Sequence, residues 1–313
     1  MRLSELQPGR REHELAAITA LLRKQVVKAD QLAGILEQAG SAVSLLSVPE
    51  EARLFQHVVP GEEIAGSVSS DELGTALREV EEWLEAGRDI RSVLDESYPS
   101  ALREIFNRPP LLFVRGRWEE PRDSWSLAVV GARAASPEGV RRAGRLAREL
   151  VEAGFTVTSG LARGIDAAAH MAALRASGRT VAVMGTGIDR VYPAENAPLA
   201  EEIVASGGCL ISQFFPAQPP TQWTFPKRNV VMSGLTLASV VVEASSTSGA
   251  KMQARVALEH GRTVFLLRSL VERHRWAAEY VEEGRYGTRA VMINSTQDIL
   301  DRLHAQEPLS LVA

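Results

Sequence analysis

Three glycines, Gly131, Gly160 and Gly185, each follow a short apolar run that is typical of a β-strand. Glycine lets backbone N–H groups approach a phosphate closely, and the N-terminus of a following helix favours negative charge. Several such turns at one edge of a parallel sheet would form a continuous anion-binding surface. We therefore expect a nucleotide or a nucleic-acid backbone to bind at this edge, and the turns alone do not say which.

Basic residues lie within these turns. Arg133 is part of the first turn and is the guanidinium best placed to bind a phosphate. Ser136 follows it with the features of a helix N-cap. Arg163 lies in the second turn, directly before Gly164. We expect all four positions to contribute to nucleic-acid binding.

A fourth segment, TFPKRN (residues 224–229), places an aromatic side chain beside two cations. Phe225, Lys227, Arg228 and Asn229 are the candidates here, because single-stranded nucleic acids bind through base stacking on aromatic rings and backbone contacts to cations. Tyr192, in the loop GTGIDRVYPAEN, either stacks on a base or packs its own loop.

The start of another helix at Ser248 and Gly249 is a further candidate for anion binding. No Gly-Lys-Ser/Thr occurs there, so the segment is not a Walker A loop. The six histidines lack metal-ligand spacing. Asp166 and His170, four residues apart, could be a catalytic pair, but a structural role is the better interpretation. We expect no catalytic residue, no metal and no cofactor.

The composition limits the partners. The chain of 313 residues is 45% hydrophobic and 24% charged, with a net charge of −4, so nucleic-acid binding requires a local basic patch. The single cysteine, Cys209, fits a buried thiol in a reducing cytoplasm. No apolar stretch approaches the ~20 residues of a membrane span, and the N-terminus lacks an export signal, so we expect a cytoplasmic protein without a membrane partner.

The elements that must position these residues follow an α/β pattern. Helical spacing dominates residues 1–88, which predicts a small helical domain and a connection with a turn at Pro60-Gly61. Residues 89–306 alternate continuous apolar strands with helices, which predicts an extended Rossmann-like parallel sheet covered on both faces. Residues 307–313 would be a tail without a winged-helix domain. Predicted helices span 70–86, 137–153, 164–177, 197–205, 229–233, 249–260, 270–283 and 297–303.

The order and spacing of these motifs resemble the DprA/Smf family, the DNA-processing proteins of bacterial natural transformation. The resemblance runs from Tyr98 to about Ala257, and its main motifs are YPSALREIFNRPPLLFVRG, VVGARAASPEG, SGLARGIDAAAH, VMGTGIDRVYPAEN, FPKRNVVMSGL and VVVEASSTSGA. It implies a non-catalytic protein that binds single-stranded DNA, protects it, assists loading of the recombinase RecA, and forms a homodimer. The DNA-contacting positions that it implies are Gly131, Arg133, Ser136, Gly160, Arg163, Lys227, Arg228 and Asn229, with Phe225 or Tyr192 as stacking candidates.

The sequence departs from the family pattern at three places. The strand TVFLL (263–267) is followed by a charged helix where the family has Pro-Gly and a loop rich in Ser, Gly and Asn. Ser212-Gln213 replaces the usual Ser-Glu. The chain also ends soon after the helix at 297–303.

Two other functions are consistent with the same scaffold. A lonely-guy-type phosphoribohydrolase would need a glutamate where Gln253 lies in SGAKMQ, and an amide cannot act as its acid/base. A nucleotide-sensing module, for instance in phage defence, would hold a small nucleotide at the glycine turns, and the altered segment after Leu267 favours this alternative.

Overall fold

The computed structural model describes residues 6–47, 64 and 66–305. The chain separates into two compact units, and the boundary falls after Val114. The predicted turn at Pro60-Gly61 and the predicted tail 307–313 lie outside the described residues.

The first unit is mainly helical, as its sequence predicts. Its buried core contains Leu15, Leu32 and Leu73, one from each of its three longest helices. The unit ends in a pair of antiparallel strands, whose first member was not predicted. Its elements are α1 (Arg11–Lys24), α2 (Ala29–Ala39), α3 (Ala42–Leu46), α4 (Ser70–Glu85), β1 (Asp89–Ser92), α5 (Ser100–Arg103) and β2 (Leu111–Gly116).

The second unit alternates strands and helices. Its strands are β3 (Ser126–Gly131), β4 (Thr156–Ser159), β5 (Thr180–Val183), β6 (Cys209–Ser212), β7 (Ala238–Glu243), β8 (Thr263–Leu267) and β9 (Val291–Ile293). Its helices are α6 (Pro137–Glu152), α7 (Ile165–Arg175), α8 (Ala197–Ala205), α9 (Thr224–Leu235), α10 (Gly249–Glu259), α11 (Arg268–Arg273), α12 (Arg275–Glu282) and α13 (Thr296–His304).

Seven parallel strands form the sheet of this unit, in the order β6-β5-β4-β3-β7-β8-β9. In all of these strands except β9, at the edge, almost every side chain is buried, as expected for a parallel sheet covered on both faces. The chain first builds outwards from β3 to β6 and then returns to place β7 on the other side of β3. Ligands of such sheets bind beyond the carboxyl ends of the strands, near this reversal.

One face of the sheet is covered by α6, α7 and α13, whose apolar side chains share a buried core with the strands. The start of α6 shows why its boundary was predictable: the Ser136 hydroxyl accepts a hydrogen bond from the N–H of Gly139, and Pro137 is the first helical residue. Cys209 is buried, as predicted.

The α/β fold class predicted from the sequence is confirmed. Two predicted helices differ substantially from those observed, and the others agree to within two residues at each end. The helix predicted over 229–233 is α9, which begins at Thr224 because the basic segment itself is helical. The single helix predicted over 270–283 is interrupted at His274, whose extended backbone separates α11 from α12. Among the described residues, no helix is long and apolar enough to cross a membrane.

Candidate nucleic-acid interface

An arginine and two aromatic rings meet beyond the carboxyl ends of β3 and β5. The guanidinium of Arg133 lies over the Phe225 ring at 4.8 Å from its centroid. The Tyr192 ring lies 5.9 Å from Phe225, measured between centroids. Arg133 and Tyr192 are exposed and Phe225 is half-buried. We call these three residues the Phe225 cluster.

A second cation and ring form a pair close to the first in sequence, because Trp223 lies two residues before Phe225 and Lys227 lies two residues after it. Trp223 is 49% exposed, and Lys227 Nζ lies 5.0 Å from its ring centroid. Phe214 packs edge-on against Trp223 with centroids 5.6 Å apart and thereby holds the ring in place. Sequence reasoning missed Trp223, although its position next to TFPKRN was a usable signal. We call Trp223 and Lys227 the Trp223 pair.

The position of Phe225 depends on a glycine. A Cβ at Gly185 would lie 2.7 Å from Phe225 Cδ1, closer than real Cβ atoms approach another atom. The glycine turn after β5 therefore makes room for an aromatic ring. This is a different use of glycine from the phosphate approach expected from the sequence.

The amides of the other two glycine turns bind a carboxylate of the protein itself. Asp166, buried at the start of α7, accepts hydrogen bonds from the N–H groups of Gly160 at 3.1 Å and Ala162 at 3.4 Å. The N–H of Gly131 also contributes. Burial raises the pKa of Asp166, and the neighbouring Arg228 and these amides oppose the rise. Asp166 thus joins the turns after β3 and β4.

Arg228 completes this buried connection. Its guanidinium donates to the carbonyl of Val183 at 3.2 Å and lies 4.0 Å from Asp166 Oδ2. A Cβ at Gly160 would overlap that guanidinium. Arg228 is 7% exposed, and burial lowers its pKa. Arg228 therefore positions the turns after β4 and β5, and its guanidinium has little exposed surface for the DNA contact expected from the sequence.

The predicted helix starts are also occupied by the protein's own groups. Glu243, at the end of β7, accepts from the N–H and the hydroxyl of Ser136, each at 3.1 Å. The Ser248 hydroxyl accepts from the N–H of Lys251 at 3.2 Å. The Asn229 amide is buried and donates to the carbonyl of Gly249 at 3.3 Å. These positions organise the edge of the sheet.

Arg163 is exposed but paired. Its guanidinium donates twice to the carboxylate of Glu195, at 2.7 and 2.5 Å. This interaction raises the pKa of Arg163 and lowers that of Glu195. Gly164, which follows Arg163, has a positive φ of 73° and lies against the carbonyl of Ala132. A phosphate at Arg163 would have to compete with Glu195.

The structure therefore divides the predicted site residues into two groups. The groups that can meet a ligand are the exposed Arg133, Tyr192 and Lys227 and the half-buried Phe225, with Arg163 beside them in its ion pair. The groups that hold the loops together are Gly131, Ser136, Gly160, Gly164, Arg228, Asn229, Ser248 and Gly249. Among the residues that the structure describes, no group of three or more His, Cys, Asp or Glu could hold a metal ion.

The buried side chain of His170, on α7, contacts Thr180 at the start of β5. Its burial predicts that the free energy of unfolding depends on pH. His170 is fully buried, its Nδ1 lies 2.7 Å from Thr180 Oγ1, and burial lowers its pKa to about 3. Between pH 6.5 and 3 the unfolded chain binds a proton at this histidine that the folded chain does not. Stability should therefore fall on acidification by about 1.4 kcal/mol per pH unit, or roughly 2 kcal/mol between pH 7 and pH 5.

Urea denaturation at pH 7 and pH 5 measures this effect. His170→Gln should remove that part of the pH dependence, whereas His304→Gln, at an exposed position, should retain it. An unchanged dependence in His170→Gln would show that this histidine is not responsible.

Comparison with known proteins identifies the family. A sequence profile described as "DNA recombination-mediator protein A" matches residues 89–304, more than half of the chain. The chain belongs to this family. Protein Smf of Escherichia coli (strain K12) is 38% identical over 227 residues, which cover 71% of this chain and 58% of that protein. The resemblance inferred from the motifs is confirmed.

Two solved structures share the fold. DNA processing protein A (DprA) from Streptococcus pneumoniae superimposes with a TM-score of 0.68 at 29% identity, covering 93% of this chain and 97% of that chain. DNA processing protein A from Helicobacter pylori gives a TM-score of 0.60 at 24% identity, covering 71% of this chain and 97% of that chain. The chain spans about half the length of the curated relatives that it matches.

Proposed function

We propose that this protein binds single-stranded DNA at the Phe225 cluster and the Trp223 pair. The observation that carries the proposal is the pairing of accessible rings with exposed cations: Arg133 with the half-buried Phe225, and Lys227 with the exposed Trp223. Bases of a single strand stack on aromatic rings, and the phosphates between them bind the cations. Neither type of contact reads the base sequence, so binding is non-specific.

The distribution of charge supports a local interface. The chain carries a net charge of −4, so its overall field repels DNA, and the attraction must come from the cations at this edge of the sheet. Stacking on a ring is worth about 1–3 kcal/mol per base, which adds to the phosphate contacts. Base-paired DNA cannot offer unstacked bases to Phe225 and Trp223, so the site should prefer single strands.

Family membership supports the same proposal. The Helicobacter pylori relative is described as having a unique single-stranded DNA-binding mode. The matched family is described as a DNA recombination mediator. We therefore extend the proposal to a role in recombination or natural transformation, to protection of incoming single strands and to their delivery to the recombinase.

A salt titration tests the proposal. The affinity for a labelled oligo(dT), measured by fluorescence anisotropy, should fall linearly on a log–log plot of affinity against salt, because each phosphate contact releases counterions. Duplex DNA of equal length should bind at least 10-fold more weakly. Absence of binding at low salt, or an affinity that does not change with salt, would contradict the proposal.

From the family resemblance we also propose a homodimer, RecA as the recombinase partner, and a cytoplasmic location. Sedimentation of the free protein tests the first, and co-sedimentation of RecA with the protein on oligo(dT) tests the second.

The proposal includes no catalytic step. Gln253, the counterpart of a phosphoribohydrolase glutamate, is 1% exposed, and its amide donates to the Ser239 hydroxyl at 3.1 Å. A side chain in this position cannot reach a substrate at the edge of the sheet. Asp166 and His170 are also buried, and Asp166 is engaged by backbone amides.

A further inference from the structure

A cavity of about 640 Å³ lies beyond the carboxyl ends of β8 and β9, against one side of α6. None of the side chains of the Phe225 cluster or the Trp223 pair lines it. Its volume is in the range of small-ligand sites in proteins, and its place at the carboxyl edge of a parallel sheet is where such sites occur. We call it the β8–β9 cavity.

Its lining combines an apolar surface with a charged rim. Leu146, Leu267 and Ile293 are the apolar side chains. Three arginines and three glutamates surround them, so the formal charge of the lining is zero. This lining suits a small molecule with an apolar ring and a charged group. It is unsuited to a polyanionic strand, which would face three carboxylates.

Some charged side chains of the rim already form hydrogen bonds within the protein. Arg142 donates to Glu138 at 2.8 Å and to the Ser269 hydroxyl at 2.6 Å. Glu149 accepts a hydrogen bond from Thr296. These contacts fix the walls of the cavity.

The remaining charges have room for a ligand. Among the residues that the structure describes, neither the Arg145 side chain nor the Glu272 side chain has a hydrogen bond or an ion pair within the protein, and both are exposed. Arg268 uses its Nε to donate to Asn294 Oδ1 at 2.6 Å. The cavity therefore offers two guanidinium groups for an anion and one carboxylate that can accept from an N–H donor.

We propose that the β8–β9 cavity binds a nucleoside 5′-monophosphate whose base carries an exocyclic amino group. Arg145 and Arg268 bind the phosphate, because guanidinium groups offer several N–H donors to its oxygens. The base packs on the apolar surface, and Glu272 accepts a hydrogen bond from the amino group of adenine, guanine or cytosine. This function is independent of single-stranded DNA binding at the Phe225 cluster.

Calorimetric titration of the full chain with AMP, GMP, CMP and UMP tests the proposal. At least one of the first three should bind with a Kd below about 1 mM, and UMP, which lacks an exocyclic amino group, should bind at least 10-fold more weakly. Arg145→Ala should weaken binding of the preferred nucleotide at least 10-fold, and Glu272→Gln should reduce the discrimination against UMP.

Two further variants keep the site assignment open to refutation. Arg175→Ala removes the same charge from an exposed position outside the cavity and should leave nucleotide affinity unchanged. Arg133→Ala should also leave nucleotide affinity unchanged, whereas loss of nucleotide binding in this variant would place the nucleotide at the Phe225 cluster and overturn the proposal.

The proposal is also overturned if none of the four nucleotides binds at 5 mM, if UMP binds equally well, or if Arg145→Ala weakens only oligo(dT) binding. The oligo(dT) titration on the same preparation reports the proposed DNA function separately.

Discussion

Replacing Arg133 by alanine is expected to weaken binding of oligo(dT) about 10- to 100-fold at moderate salt. The guanidinium is exposed and lies over the Phe225 ring, so it can contact a phosphate next to the base that stacks there. The variant loses a phosphate contact and also the cation that holds the ring in place, and the stacking contribution alone is about 1–3 kcal/mol per base.

The salt dependence identifies which interaction is lost. Anisotropy titrations at several salt concentrations should give a log–log slope that is shallower by about 0.7 in Arg133→Ala, the value for one phosphate of a single strand. Arg133→Lys keeps the charge without the planar group and should recover part of the affinity. Arg175→Ala, at the C-terminus of α7 and therefore at the opposite edge of the sheet, is the matched control and should bind as the wild type does. Equal losses in Arg133→Ala and Arg175→Ala would show that only net charge matters.

Most of the second unit could be predicted from the sequence because local signals specify it. Continuous apolar strands such as β7 and glycine turns at strand ends identify a parallel sheet without any knowledge of long-range contacts. The helix boundary at Ser136-Pro137 follows from capping chemistry. The break at His274 was not visible, because the residues on both sides of it favour a helix and packing decides where the chain turns.

The proximity of Arg133 to Phe225 follows from a general rule, since Arg133 follows β3 and Phe225 lies in the first turn of α9, both at the carboxyl edge of the sheet. The missed residue, Trp223, lies just before the basic segment, but nothing in the sequence says that its ring is exposed. Exposure depends on Phe214, which lies earlier in the same connection between β6 and α9 and packs against one edge of Trp223. Such contacts join residues that no local pattern relates.

Contacts that no local sequence pattern reveals also explain why the glycine turns have a different role from the one predicted. Their amides are suited to an anion, as predicted, but the anion is supplied by Asp166 and, at the start of α6, by Glu243. A sequence shows that a turn can bind a carboxylate, and it does not show which carboxylate the fold brings there. The exposed cations and rings are therefore left as the surface that can bind a ligand.

Replacing Asp166 by alanine is expected to lower the free energy of unfolding by about 3–5 kcal/mol, the range for removing one partner of a buried ion pair. Arg228 would keep its charge at 7% exposure without the carboxylate 4.0 Å away, and the N–H groups of Gly160 and Ala162 would lose their acceptor. Urea denaturation measures the change. Because Asp166 joins two turns of the proposed interface, oligo(dT) affinity should fall as well.

Two further variants separate the buried charge from lost packing. In the Asp166→Ala background, Arg228→Met removes the uncompensated charge and should recover part of the lost stability, since an apolar side chain of similar length costs little to bury. Asp166→Asn keeps an acceptor for the amides and should be destabilised less than Asp166→Ala, which leaves a folded variant for DNA-binding measurements. Asp301→Ala, at an exposed position on α13, should change stability by less than about 0.5 kcal/mol. If Arg228→Met brings no recovery, the carboxylate acts through the backbone amides alone and the ion pair with Arg228 does not contribute.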